Sequence, residues 1–110
     1  MPYGRLAVSA PAATTNTVVY TVPSNCLYAE ITVNILNTNA TTCSCNLAVS
    51  TSGTSTPAAN EYIEKEAILP ASGGVLERTD LVVSPGEKII IYTALANTVV
   101  RVSGKVVASL

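Results

Sequence analysis

Apolar and polar residues alternate along several short segments of this chain, which is the pattern of β-strands that bury one face. The clearest segments are 28–37 and 98–108. In the first, one strand face carries Ala29, Ile31, Val33 and Ile35, and the other carries Glu30, Thr32 and Asn34. In the second, Val100, Val102 and Val106 share one face, and Arg101 and Lys105 share the other. Both segments therefore predict half-buried strands.

Turn-forming residues separate eight segments of this kind at short, regular spacing. We predict strands at 5–10, 17–22, 28–37, 42–50, 61–69, 75–83, 87–95 and 98–108. A chain of 110 residues forms one domain, in which residues 1–16 supply an extended arm and the first strand. This spacing is typical of a single all-β domain, an antiparallel β-sandwich or a jelly roll, and leaves the strand order open.

The segment 61–69 is the one ambiguous element. It holds the densest charge in the chain, and its helix-forming residues leave a turn of helix through Tyr62, Ile63 and Glu66 as an alternative to a strand. Pro70 ends the element in either case.

The segment 87–95 differs from the others because Ile89, Ile90 and Ile91 make it apolar on both faces. Such a strand is expected at the centre of a sheet, with both faces covered. The stretch 51–60, which comes before the charged segment 61–69, has no periodicity and consists mostly of small and polar residues. It is predicted to be an exposed loop.

Composition adds that the folded chain keeps apolar surface. Apolar residues make up 48% of the chain and charged residues 12%, and the mean hydropathy is +0.41. Since monomers rarely expose large apolar patches, we expect a symmetric oligomer or a lattice with other subunits. The net charge of −1, without a basic stripe, argues against nucleic-acid binding. No apolar run is long enough for a membrane helix, and the first residues do not have the pattern of a signal peptide.

The three cysteines are too few for a disulfide framework. On a strand, Cys43 and Cys45 share a face with Leu47 and Val49. We therefore expect Cys43, Cys45 and Cys26 to be buried, inert thiols with no metal or redox role.

Candidate catalytic groups are scarce. The chain has no His to activate a nucleophile, and its only Asp is Asp80. The one carboxylate cluster consists of Glu61, Glu64 and Glu66, and on a strand Glu61 lies on the opposite face from the other two. We expect a solvated or interface edge here, and a non-enzyme without cofactor or metal.

A set of short strings, taken in order, resembles small β-sandwich structural proteins of tailed bacteriophages. The match extends over about residues 5–104, and its specificity lies in the order of the strings. The strings are Val19-Tyr20-Thr21-Val22-Pro23, the strand 29–37 ending in Asn, Leu47-Ala48-Val49-Ser50, Tyr62-Ile63-Glu64, Leu69-Pro70, Gly74-Val75-Leu76-Glu77-Arg78-Thr79 and Ser84-Pro85-Gly86-Glu87-Lys88.

This resemblance implies a non-enzymatic virion component, assembled in the host bacterial cytoplasm and present in many copies. A capsid decoration or cement protein that binds the major capsid protein, often as a trimer, is the expectation. The alternatives are a tail, neck, baseplate or fibre component, or a carbohydrate-binding module on a fibre. Tyr3, Tyr28 and Tyr62 are the candidate sugar-stacking residues.

The residues expected to reach a partner lie in the 51–60 loop, in the charged segment after it and near the N-terminus. They are Thr51, Ser52, Gly53, Thr54, Ser55, Glu61, Tyr62, Glu64, Tyr3 and Arg5. If the oligomer is a trimer, Ile90, Tyr92 and Val100 are expected at its threefold axis.

Overall fold

A computed structural model describes residues 4–51 and 56–108 of the chain. The described part contains eight strands and one short 3₁₀ helix between the fourth and fifth strands. The strands are β1 Gly4–Ser9, β2 Thr17–Thr21, β3 Cys26–Asn37, β4 Cys43–Ser50, β5 Tyr62–Leu69, β6 Gly74–Val83, β7 Lys88–Thr93 and β8 Thr98–Ala108, and the 3₁₀ helix is Ala59–Glu61.

The strands form two antiparallel four-stranded sheets that pack face to face. Sheet A has the order β1-β8-β3-β6, and sheet B has the order β2-β7-β4-β5. Strand β1 pairs with β8, β2 with β7, β3 with β6 and β4 with β5. This nested pairing of the first half of the chain with the second half is the arrangement of a jelly roll. The predicted all-β sandwich is confirmed, and the structure adds the strand order.

The predicted strands match the observed ones to within one residue at each end, except at the start of β3 and at the end of β7, which stops at Thr93 rather than at residue 95. Strand β3 begins two residues earlier than predicted, at Cys26, because a bulge at Leu27 lets the strand keep its pairing with β8. The helical alternative for 61–69 is wrong. The helical turn lies earlier, at Ala59–Glu61, and Tyr62–Leu69 pairs with β4 as a strand.

The core lies between the sheets and is built from the alternate apolar residues of both. Its buried members are Val22, Cys26, Ala29, Ile31, Val33, Ile35, Cys45, Leu47, Leu69, Val83, Ile89, Ile91, Val100 and Val102. Ile90 lies on the opposite face of β7, beside Val18 and Ala48, and is also buried. The central, covered strand predicted from the three isoleucines is confirmed.

This burial corrects one expectation about the oligomer. Ile90 and Val100 are each only 1% exposed in the single chain, so they are not available for the threefold axis to which the sequence assigned them. The reason is that Val100 belongs to the central strand β8 and faces the core. Tyr92 is partly exposed.

β-Bulges interrupt the register of all four edge strands, β1, β2, β5 and β6. In β5 and β6, the bulges place Glu66 and Asp80 at positive φ, of 55° and 58°. Bulges bend and twist an edge, and this limits unwanted pairing with other strands.

Gly104 in β8 also has positive φ, and a Cβ there would come within 2.0 Å of the Glu30 carbonyl oxygen. Only glycine fits at this crossing.

A buried asparagine ties together one end of the sandwich. Asn37, the last residue of β3, is fully buried, and its Nδ2 donates to the carbonyl oxygens of Thr41 at 2.9 Å, Leu69 at 3.2 Å and Pro70 at 3.1 Å. Its Oδ1 accepts hydrogen bonds from the backbone N and the Nδ2 of Asn39, both at 2.9 Å. One amide therefore links the β3–β4 loop to the β5–β6 turn.

The same network reaches a third loop. Asn39 donates from Nδ2 to the Ala96 carbonyl oxygen at 2.7 Å. The backbone N of Thr38 donates to the Asn97 carbonyl oxygen at 3.3 Å. The backbone N of Ser72 donates to the carbonyl oxygen of Asn39. We call Asn37 and Asn39 together the asparagine hub.

We expect Asn37→Ala to lower the free energy of unfolding by about 3 kcal/mol or more, because it leaves several loop carbonyls and amides without partners. Asn37→Asp is expected to be destabilising too, since a carboxylate cannot donate to the three carbonyl oxygens. Urea denaturation measures both. Asn60→Ala, at an exposed position, is the matched control and is expected to change stability by less than about 0.5 kcal/mol. An Asn37→Ala protein as stable as the control would contradict the role of the hub.

Candidate interaction surfaces

The end of the sandwich opposite the asparagine hub carries the loop that the sequence assigned to partner contact. One carboxylate joins the two sides of this loop. Glu61 Oε2 accepts from the backbone N of Thr51 at 2.9 Å and from its Oγ1 at 3.2 Å. Glu61 Oε1 accepts from the backbone N of Ala58 at 2.8 Å. Glu61 therefore acts as a clasp between the end of β4 and the start of the 3₁₀ helix.

These hydrogen bonds favour the ionised form of the clasp. The backbone N–H of Thr51, followed by that of Ala58, holds the pKa of Glu61 below its usual value. Hydroxyl groups of Ser50 and Thr51 act in the same direction, and partial desolvation opposes them. The carboxylate of Glu61 is thus a structural group, because both of its oxygens accept hydrogen bonds from the loop it holds.

A cleft of about 440 Å³ lies beside the clasp, between the edges of the two sheets. Its lining residues include Thr51, Asn60, Glu61 and Tyr62 from the sheet B side and Val82 from the sheet A side. The ammonium group of Lys65 sits 4.3 Å from the centre of the Tyr62 ring. A cation at this distance from a ring is held by the ring's electrons.

The three clustered glutamates of the sequence have separate roles in the structure. Glu64 forms an ion pair with Arg78 of β6, with 2.9 Å between Oε2 and Nη1, and so links the free edges of the two sheets. Glu66 occupies the bulge of β5, where its backbone N donates to Asn46 Oδ1 at 2.7 Å. With Glu61 in the clasp, the three carboxylates do not converge on one site.

The structure brings together only part of the predicted contact set. Thr51, Glu61 and Tyr62 line one cleft, whereas Glu64 pairs with Arg78. Arg5 is exposed on β1, the edge strand of sheet A farthest from β6. Tyr3, Ser52, Gly53, Thr54 and Ser55 lie outside the described residues.

The predicted burial of the three cysteines is confirmed. Cys26, Cys43 and Cys45 are free and buried, and burial, followed by the nearby Cys43 and Glu64, raises the pKa of Cys45 to about 11. Within residues 4–51 and 56–108, no cluster of three or more His, Cys, Asp or Glu side chains is placed to hold a metal ion. The same ranges contain no helix with the length and apolar character needed to cross a membrane.

A second surface, which the sequence did not single out, lies on the outer face of sheet A. The large apolar side chains that are exposed in the described part of the chain are Val8, Leu27, Ile68, Val75 and Val82. All except Ile68 belong to strands of sheet A. We therefore take the outer face of sheet A as a candidate contact surface.

Near the asparagine hub, this outer face forms a shallow groove of about 310 Å³. The groove is lined by Asn34, Leu36, Val75, Val99 and Arg101. Alternation in β3 and β8 already placed Asn34 and Arg101 on the polar sides of their strands. The pairing of β8, β3 and β6 side by side could not be read from alternation, and this pairing is what creates the groove.

Comparison with known proteins returned no matching family model, no matching curated protein and no matching solved structure.

Replacing the clasp with Glu61→Gln is expected to change how stability depends on pH. Because the pKa of Glu61 is lowered in the folded state, ionised Glu61 stabilises the fold above the ordinary glutamate pKa of about 4.5. That contribution is lost as the pH falls through the lowered pKa. We therefore expect the wild type to exceed Glu61→Gln in stability at pH 6–7 and the difference to shrink below about pH 4.5.

Urea denaturation of both proteins between pH 3 and 7 measures this difference. Glu66→Gln is the matched control, since the Glu66 side chain is exposed and makes no hydrogen bond or ion pair within the described residues. If Glu61→Gln and the wild type have the same free energy of unfolding at every pH, the clasp does not contribute to stability.

Proposed function

We propose that this chain is a non-enzymatic structural protein of a tailed-bacteriophage virion, in which it binds other subunits as a symmetric oligomer. Within that class, a capsid decoration or cement protein that binds the major capsid protein is the preferred role. A tail, neck, baseplate or fibre component is the alternative. The virion assignment itself comes from the ordered strings that resemble phage β-sandwich proteins.

The observation that carries the proposal is the exposed apolar surface of sheet A. Val75 and Val82 on the edge strand β6 are 55% and 67% exposed, and Val8 on the opposite edge strand is 48% exposed. Apolar side chains left in water at both edges of one sheet support a subunit that completes its burial by association. The jelly-roll strand order supports the same reading, because viral capsid domains use it, although lectins do as well.

Binding to an assembled particle needs complementarity with that particle and no chemistry. A subunit of this kind stabilises the assembled state because it binds that state and not the separated subunits. The carboxylates support this reading, since Glu61 and Glu64 are engaged in bonds within the chain.

The copy number of this chain relative to the major shell protein in sedimented, intact particles tests the proposal. A decoration protein is expected at a simple ratio to the shell subunit, in hundreds of copies per particle. A few to a few dozen copies would assign the chain to the neck, tail or fibres. Absence from particles would overturn the virion role.

A carbohydrate-binding module is the second candidate, and the Tyr62 cleft is the observation that favours it. Sugar sites commonly combine an aromatic ring with polar side chains, and this cleft contains Tyr62 with Asn60. Lys65 occupies a position over the ring, which competes with a sugar for stacking.

If the cleft binds glycan, Tyr62→Ala is expected to abolish retention on a glycan array while the protein stays folded. Tyr28→Ala, at a partly exposed position on β3 that does not line the cleft, is the matched control. Failure of the wild-type protein to bind any glycan on the array would remove this candidate.

A further inference from the structure

The groove on sheet A is built from two cross-strand rows. In the first row, Leu36 of β3 lies between Val99 of β8 and Val75 of β6. In the next row, Asn34 lies between Arg101 of β8 and Glu77 of β6. An apolar row therefore runs beside a row with a cation at one end, an amide in the middle and an anion at the other end.

Both charges in the second row are available for an external partner. Arg101 and Glu77 are exposed, and neither side chain takes part in an ion pair or hydrogen bond within the described residues. They stand two strands apart, about 10 Å between Cα atoms, because neighbouring strands are spaced by about 4.8 Å. In contrast, Lys105 and Glu30 on the same sheet already pair with each other at 3.6 Å.

The two rows are self-complementary under a twofold rotation about an axis parallel to β3. This rotation places β3 of one copy over β3 of the other, and β8 over β6. Arg101 then faces Glu77 of the second copy, and Glu77 faces its Arg101. In the apolar row, Val99 faces Val75 of the second copy, and Leu36 faces Leu36.

We propose that the occupant of this groove is a second copy of the same chain, bound face to face through sheet A as a twofold dimer. Each interface contains two symmetry-related Arg101–Glu77 ion pairs beside an apolar strip. Such an isologous contact uses one patch on both subunits, and opposite charges across it set the register and exclude wrong partners. The inference specifies the symmetry and the surface of the oligomer in the proposed function, and it does not depend on the virion role.

A twofold contact also accounts for the position of the exposed valine at the edge of the sheet. Val75 is 55% exposed and would be covered by Val99 of the second copy. The trimer expected from sequence had assigned Ile90 and Val100 to its axis, and both are buried within the chain. In contrast, the residues that line the groove are exposed or partly exposed in the single chain.

Charge reversal gives a direct test. Arg101→Glu and Glu77→Arg each place two pairs of like charges across the twofold axis. We expect each variant to weaken self-association about 100-fold or more, measured by sedimentation velocity over a range of concentrations. The double variant Arg101→Glu/Glu77→Arg restores opposite charges and is expected to recover dimerisation to within about tenfold of the wild type.

Mixing the two single variants provides a sharper test of the symmetry. In a mixed dimer, Glu at position 101 of one chain faces Arg at position 77 of the other, and the second pair is Glu77 with Arg101. Two proteins that are monomeric alone are therefore expected to form a 1:1 heterodimer when combined. Lys65→Glu, an exposed charge reversal on sheet B, is the matched control and is expected to leave dimerisation unchanged.

A wild-type protein that is monomeric at all concentrations, or trimeric, would overturn the twofold dimer. So would single variants that dimerise as well as the wild type, provided that circular dichroism shows all variants folded. These outcomes are separable from the proposed function. A monomer that is abundant in virions would contradict the oligomer and leave the virion role standing, and a dimer that is absent from virions would contradict the virion role alone.

Discussion

The fold depends on the amide of Asn37, because that side chain is what holds separate loops at one end of the sandwich. A jelly roll brings together loops that are distant in sequence, and their backbone groups need partners once the end is covered. The Nδ2 group of Asn37 donates to three carbonyl oxygens, which belong to the β3–β4 loop, to the last residue of β5 and to the turn after it. Asn39 extends the connection to a third loop. The position of β3, at the centre of sheet A, is fixed from this end.

The two ends of the sandwich are stabilised by different chemistry. The hub uses neutral amides that are buried or partly buried, whereas the opposite end uses the ionised Glu61 to hold the start and end of one loop. The free edges of the sheets are joined by the ion pair between Glu64 and Arg78. Since the polar groups at the ends and at this edge are directed inward or toward each other, the outer face of sheet A is left as the surface best suited to a partner.

Much of the fold could be predicted from local pattern, because burial on one face forces a period of two. The alternation in 28–37 and the three consecutive isoleucines at 89–91 correctly indicated a half-buried strand and a central one. The strand order could not be predicted, since alternation says which face is buried but not which strand lies alongside. For the same reason the sequence did not single out the groove, whose residues come from three strands that are distant in sequence.

The candidate site was predicted less well than the fold. Thr51, Glu61 and Tyr62 do meet at one cleft, since they flank one loop. Glu64 was grouped with them by proximity in sequence, but its partner Arg78 comes from the other sheet. Asn37 and Asn34 are the same residue type on the same strand but have different roles. They lie on opposite faces of β3, and loops cover only Asn37, which joins the hub, whereas Asn34 lines the groove.

The position of β8 has a consequence for how the chain acquires its structure during synthesis. Strand β8 follows the other seven strands in sequence and lies inside sheet A, between β1 and β3, so β1 has no partner in its sheet until β8 has been made. The ladder that joins Gly4 to Gly104 spans almost the whole chain, and contacts between such distant residues form slowly. The ribosome must therefore release β8, Thr98–Ala108, before sheet A can close, and until then β1 and one edge of β3 present unpaired backbone that a chaperone or a neighbouring chain can bind.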